Sequence, residues 1–206
     1  MRRYVPLFLA IACATTLAVV SIAGAVSPLK GNPANDARLL NKPIEASRYD
    51  DGTHCQAGTR RGTRALEQWI GRHFRGVSWG SYRCEKWGPG SFSIHAEGRA
   101  LDWHLDAGNA GQKRNAMRLI DMLISSDRKG EPTALARRMG VQGLIFNCKQ
   151  WFAGMTGLSN YDYCYRRDGK RRRNLNRTEA HMDHIHIELN WAGARMKTSF
   201  WRWGRR

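Results

Sequence analysis

His181-Met182-Asp183-His184-Ile185-His186-Ile187-Glu188-Leu189 is the stretch on which the fold turns. From His184 onward it alternates strictly. In a strand, His184, His186 and Glu188 leave one face while Ile185, Ile187 and Leu189 leave the other. One face suits an apolar core and the other is loaded with imidazole and carboxylate. A second stretch, Ser93-Ile94-His95-Ala96-Glu97-Gly98-Arg99-Ala100-Leu101-Asp102, leads into the same arrangement. Asp102, His104 and Asp106 share one face of a strand, and Leu101, Trp103 and Leu105 take the other. Residues 92–106 therefore predict two short strands around a turn at Glu97-Gly98, where Gly98 permits the reversal that folds His95 back toward Asp102.

Working outward, the pattern turns helical from Thr63, with Leu66, Trp69, Ile70, His73 and Phe74 on one stripe and Gly76 as the stop. His73 reads as a packed histidine. A second helix runs from near Asn109 to Ser125, with Ala116, Leu119, Ile120 and Leu123 facing inward. Pro132 opens a short helix that stops at Gly140, and Leu144-Ile145-Phe146 is a buried strand candidate. Arg166 to Arg173 is a basic loop that reads as a solvated protrusion. The sum is an α+β domain, a small and mainly antiparallel sheet with helices packed on one side.

At the N-terminus Met1-Arg2-Arg3 precedes an uncharged run from Tyr4 to Val26 that ends in small residues. Residues 1–25 read as a secretory signal cut after Ala25, or as a membrane anchor, since the run is also long enough to span a bilayer. Cys13 sits in mid-run without the Leu of a lipoprotein motif. Residues 26–50, with Pro28, Pro33 and Pro43, read as a linker or a loosely docked arm. Residues 51–206 form the domain proper, ending in a basic, Trp-containing tail from Trp191.

The composition, 42% hydrophobic and 25% charged, excludes a polytopic membrane protein and a disordered chain. Lys and Arg outnumber Asp and Glu by 34 to 17, a formal charge of +17, and only Arg2 and Arg3 of that excess lie in the leader. Such a balance suits an anionic partner, whether nucleic acid, an acidic cell-wall polymer or a membrane surface, or a solubilising surface. Beyond Cys13 four cysteines remain, an even number that in an exported domain implies two disulfides. Cys55–Cys84 and Cys148–Cys164 are favoured because each closes a local loop. No pair has the spacing of a thiolate zinc site.

His95, Asp102 and His186 offer two imidazoles and one carboxylate, the donor set of a catalytic zinc with one position open to water. Calcium and magnesium want more oxygen ligands, whereas non-haem iron uses the same set. Of the residues beside His186, His184 leaves the same face and is the better general base. Asp183 points away if the strand already begins there and can reach the site if it precedes the strand.

The first stretch matches S-x-H-x-x-G-x-A-x-D, and in this it resembles the first zinc motif of the D-alanyl-D-alanine carboxypeptidase type of metallopeptidase, a superfamily with the murein endopeptidases and the Hedgehog signalling domain. His184-Ile185-His186 is similar to its second zinc motif, and Ser81-Tyr82-Arg83 to its Tyr-Arg element. The resemblance covers about residues 60–191. It implies a Hedgehog-like fold, one zinc ion on His95, Asp102 and His186, and Arg83 facing the scissile carbonyl. The carboxypeptidase branch carries Glu where this chain has Asp183, and the H-x-x-H-x-H spacing of His181, His184 and His186 is closer to the murein endopeptidases. His181 is expected to orient His184 or the substrate, and Ser93, Trp103 and Trp151 are candidates for substrate contact.

The function so implied is an exported, secreted zinc metallopeptidase, a hydrolase of peptidoglycan stems or cross-bridges concentrated by charge on an anionic cell wall. The membrane enters only through an uncleaved N-terminal segment. The rival is a zinc-binding, wall-binding module of the same fold that no longer cleaves. A nuclease reading, suggested by Asp183-His184-Ile185 and the charge, lacks the later His that an HNH-type site needs, which counts against a nucleic-acid partner.

Overall fold

The computed structural model describes residues 26–204 apart from Pro28, so the predicted leader and Cys13 lie outside the described residues. In chain order the elements are α1 (Ala37–Leu40), α2 (Arg61–His73), β1 (Val77–Gly80), β2 (Lys86–Gly88), β3 (Ser91–Phe92) and β4 (Ala100–His104). There follow α3 (Ala110–Ile124), α4 (Ala134–Met139), β5 (Val141–Phe146), β6 (Lys149–Phe152), β7 (Ser159–Asn160), β8 (His184–Leu189), α5 (Trp191–Ala194) and α6 (Ser199–Trp203). A six-stranded antiparallel sheet runs β1-β4-β8-β5-β6-β7, and β2 and β3 form a separate hairpin. The domain is α+β.

Alternation on the two central strands decides which way the sheet faces. Leu101 and Trp103 of β4 and Ile185, Ile187 and Leu189 of β8 join Leu66, Trp69 and Ile70 of α2 and Ala116, Leu119, Ile120 and Leu123 of α3 in one core. The predicted stripes of both helices are the buried ones. α3 starts where expected because the Asn109 side chain accepts from the Gly111 and Gln112 amides, a cap that satisfies two otherwise unpaired donors. α4 stops at Gly140, which takes the left-handed conformation at φ 76°. The opposite face of the same strands carries Asp102, His184, His186 and Glu188. His73 is packed, its ring edge-on to Trp69 and its Nδ1 bonded to the Ser27 carbonyl.

Three expectations need correction. Residues 26–50 are no loose arm: Ala34 and Leu39 are fully buried in the main core, and Asn32 donates to the Met122 carbonyl. Glu45 accepts from both the amide and hydroxyl of Ser199, and Asp50 accepts from the Trp191 amide. The segment has no period because its polar groups are satisfied one at a time by distant elements rather than by a ladder. The C-terminal stretch is no tail either, since Phe200 and Trp201 are buried and the Trp201 indole donates to the Met139 carbonyl. Finally, the first of the two strands expected around Glu97-Gly98 is a 3-10 turn over Ile94–Glu97.

Both expected disulfides are present. Cys55–Cys84 ties the coil before α2 to the loop after β1, with Cα atoms 5.3 Å apart, and Cys148–Cys164 ties the β5–β6 turn to the loop after β7 at 5.5 Å. Two such bonds point to an oxidising, extracytoplasmic compartment. Among the described residues no helix is long and apolar enough to cross a membrane.

Candidate metal centre

His95 enters from the 3-10 turn, which Ser93 caps by accepting from the His95 amide. Gly98 ends the turn at φ 66°, and a Cβ there would stand 2.1 Å from the Gly58 carbonyl oxygen, so neither the backbone conformation nor the space admits a side chain. The chain then enters β4, whose Asp102 lies directly opposite His186 of β8. Three donor atoms converge. His95 Nε2 is 3.1 Å from Asp102 Oδ1 and 3.1 Å from His186 Nδ1, and the last two are 3.0 Å apart. All three residues are buried.

The triangle fits a metal ion. A tetrahedral ion with bonds of ~2.0–2.1 Å has ligand-to-ligand edges of ~3.3–3.4 Å, within a few tenths of the edges found. The remaining ring nitrogens are used as metal-binding histidines use them. His95 Nδ1 faces the Ser81 carbonyl at 3.2 Å, and His186 Nε2 faces Glu188 Oε1 at 3.0 Å. When the outer nitrogen donates in each contact, the inward nitrogen of the neutral ring is the one turned to coordinate. The cluster His95-Asp102-His186 can hold a metal ion.

The electrostatics are those of a shared-charge cluster. Burial alone would raise the Asp102 carboxyl, but hydrogen bonds from His186 and His95 overrule it and hold it far below the usual carboxylate range. Burial disfavours a charged His186, yet Asp102 on one side and Glu188 on the other push it up to about 9. Burial lowers His95. It also pushes His181 down to about 3, with help from the charges of His186 and His184.

β8 begins at His184, so Asp183 precedes the strand. Its carboxylate accepts from His184 Nδ1 and from the Thr178 hydroxyl, both at 2.7 Å. His184 Nε2 is thereby turned toward Asp102 Oδ1, 3.5 Å away. Asp183 and His184 are thus not rivals for one position; the first orients the second. His181 adopts φ 51°, and its ring centroid lies 4.7 Å from that of His184 and 5.5 Å from that of His186.

Arg83 reaches the site, but on the carboxylate. Its Nη1 is 2.6 Å from Asp102 Oδ2 and its Nε is 3.1 Å from Glu85. An open cleft of about 1310 Å³ contains this face of the sheet and is walled by Trp79, Trp87, Phe152 and Tyr161. Ser93 lines it as expected. Trp103 and Trp151 do not. Trp103 is buried on the core face with its indole on the Arg75 carbonyl, and Trp151 is fully buried with its indole on the Met155 carbonyl.

Sequence reading missed one group and left the role of another unassigned. Trp79 lies on edge strand β1 and stacks flat on His104, with centroids 4.2 Å apart; the run Val77–Gly80 gave too short a pattern to mark it. Glu188 was legible, since it shares the face of His184 and His186. It is the buried carboxylate behind His186, and Gly143 on β5 makes its room: a Cβ at Gly143 would lie 2.6 Å from Glu188 Oε2.

Residues 52–184 match the model of the VldE C-terminal domain family. The chain belongs to that family. The matched part of this VldE C-terminal domain includes His95, Asp102 and the Asp183-His184 pair, and it stops just short of His186. No curated protein and no solved structure matches the chain.

Proposed function

We propose that this domain is an exported zinc-dependent peptidase that hydrolyses peptide bonds of peptidoglycan stems or cross-bridges. The observation that carries the reading is the triangle of His95 Nε2, Asp102 Oδ1 and His186 Nδ1 beside an oriented imidazole, His184. The motifs that resemble the D-alanyl-D-alanine carboxypeptidase superfamily support it, as do the α+β fold and the disulfides.

His95, Asp102 and His186 would hold the ion. When bound, zinc supplies a Lewis acid for the carbonyl and lowers the pKa of a water toward ~7. His184 Nε2 takes the proton of the attacking water and returns it to the leaving amine. Asp183 stabilises the imidazolium formed in between, and Thr178 fixes Asp183. Arg83 holds the second oxygen of Asp102, which keeps that ligand ionised and aimed. The aromatic walls offer surface for the flanking parts of the substrate.

The test is digestion of purified sacculi by the zinc-loaded protein, with released fragments identified by mass. New amine and carboxyl ends at one stem or cross-bridge bond support the reading, and an unchanged sacculus removes it. A second reading has one observation in its favour, because Arg83 is committed to Asp102 and Glu85. It is a zinc-binding module that holds wall polymer without cleaving it, and sacculus binding without fragments selects it.

A further inference from the structure

The loop Arg166-Arg167-Asp168-Gly169-Lys170-Arg171-Arg172-Arg173 carries six cations and one acid in eight residues, all exposed. It is not a slack protrusion. Tyr165 pairs with Arg171, Arg166 donates its amide to the Lys170 carbonyl, and Gly169 turns the tip at φ 77°. Its base is fixed by the Cys148–Cys164 disulfide and by the Arg172 amide bonded to the Cys164 carbonyl. Beneath it lies a small core of its own, with Cys148, Cys164 and Ala180 buried under Tyr161, Tyr163 and Leu175.

Like charges repel, and an untethered loop would spread them. Here a disulfide, a bridge and a separate core hold them together, with one loose internal ion pair, Lys170 to Asp168 at 3.8 Å. A merely solvated face needs no such staple. The chain leaving the loop supplies Thr178, Glu179 and His181 to the cleft wall, so a short stretch of chain joins the charge cluster to the site.

We propose that residues 166–173 form a stapled cationic hairpin that binds a linear phosphodiester polymer of the cell wall and so docks the cleft on its substrate. Arginine forks match phosphate oxygens in pairs, which favours phosphate as the repeating charge. No aromatic side chain lies within residues 166–173 on which a base could stack, and the disulfides belong to an oxidising compartment, which together favour a wall polymer over nucleic acid. The choice of wall polymer rests on the exported reading above; the charge cluster does not.

The experiment measures binding of labelled poly(glycerol phosphate), and of single-stranded DNA of equal charge, to the full chain across a salt series. Arg167→Ala/Lys170→Ala is compared with Lys113→Ala/Arg114→Ala, a pair of exposed cations on α3. The hairpin variant is expected to bind poly(glycerol phosphate) about tenfold more weakly at low salt, with a logarithmic salt slope smaller by ~1. The α3 variant is expected to bind as the parent does. Equal losses in both variants, no loss in the hairpin variant, or tighter binding to DNA than to poly(glycerol phosphate) would overturn the proposal. Fragment release from sacculi is scored separately, so a chain that binds the polymer without cleaving wall leaves this inference standing and the peptidase reading fallen.

Discussion

The two halves of the candidate metal centre reach the same point by different routes. His184 and His186 converge by periodicity: they lie on one face of a strand that is hydrogen-bonded on both sides, to β4 and to β5. His95 and Asp102, seven positions apart, converge by a turn, a 3-10 segment ended by a left-handed glycine before β4 begins. A repeat spreads its requirement over many residues and many ladder bonds. A turn concentrates it, here on Gly98 with φ 66° and the Gly58 carbonyl against its back. The turn half is therefore the more breakable, although both halves supply donor atoms to the same cluster.

The largest effect expected tests that difference. His95→Ala should leave the purified protein without stoichiometric metal, because two protein ligands rarely retain a catalytic ion. Gly98→Ala should approach the same result without touching a ligand, since its Cβ must displace either the turn or the coil at Gly58. A conservative change in the other half, Ile187→Val, should cost ~1 kcal/mol of stability and no metal. Metal analysis with thermal melts separates the three, and full occupancy in His95→Ala would remove the ligand assignment.

The same contrast explains what was legible. Alternation marked β8, its faces and the sharing of Asp102, His184 and His186, because a strand exposes its period directly. Helical spacing marked the buried stripes of α2 and α3 for the same reason. The 3-10 turn has too few residues for a period, so Ser93 to Glu97 read as a strand although the position of Gly98 was right. Residues 26–50 were missed because their anchors, Leu39 and Asn32 among them, act singly through contacts far apart in sequence. Trp103 and Trp151 were taken for cleft residues because bulk aromatics serve cores and binding sites alike. Alternation already assigned Trp103 to the core side, and the structure agrees with that pattern.

A second test lies within the β8 half and presupposes turnover. His184→Ala should keep its metal and lose ~100-fold or more in kcat, the scale of a general base. Asp183→Asn should lose less, about tenfold, because the amide can still meet His184 Nδ1 but no longer stabilises its charge. Single-turnover rates at fixed metal loading distinguish the two. If Asp183→Asn is the dead variant and His184→Ala still turns over, the carboxylate is the base and the chemistry follows the carboxypeptidase branch.

Acid–base behaviour gives a third, smaller signal. His186 binds its proton up to about 9, so a metal must displace that proton. Affinity should rise by up to about tenfold per pH unit toward that value and level off above it. Stability of the metal-free protein has the opposite sign. A histidine raised above its unfolded value of ~6.5 stabilises the fold fully below that pH, and the contribution is lost as pH climbs through about 9. Between those limits the melting temperature should fall with pH for the apoprotein and stay level for the metal-saturated protein, in which neither the folded nor the unfolded state carries the His186 proton. Parallel curves would mean that His186 does not carry the proton.

The smallest effect expected concerns the support behind His186, where the periodic half of the site depends on a glycine after all. Glu188 is buried, and its carboxylate meets His186 Nε2 at 3.0 Å and Gln142 Nε2 at 3.3 Å. Such a partner fixes ring orientation and raises ligand basicity. Glu188→Gln keeps the shape and an acceptor but removes the charge, so metal affinity should fall about tenfold, at the mild end for such partners. Gly143→Ala attacks the same contact from the neighbouring strand. Gly143 does not have a positive φ, so alanine suits its backbone, and the added Cβ instead meets Glu188 Oε2 at 2.6 Å and Phe152 at 3.0 Å. Displacing the carboxylate should lower metal affinity at least as far as Glu188→Gln does, and the double variant should be no worse than the single ones. Competition against a chromophoric chelator reads all three. If Gly143→Ala costs stability yet leaves affinity untouched, the glycine serves strand packing and Glu188 does not act through His186.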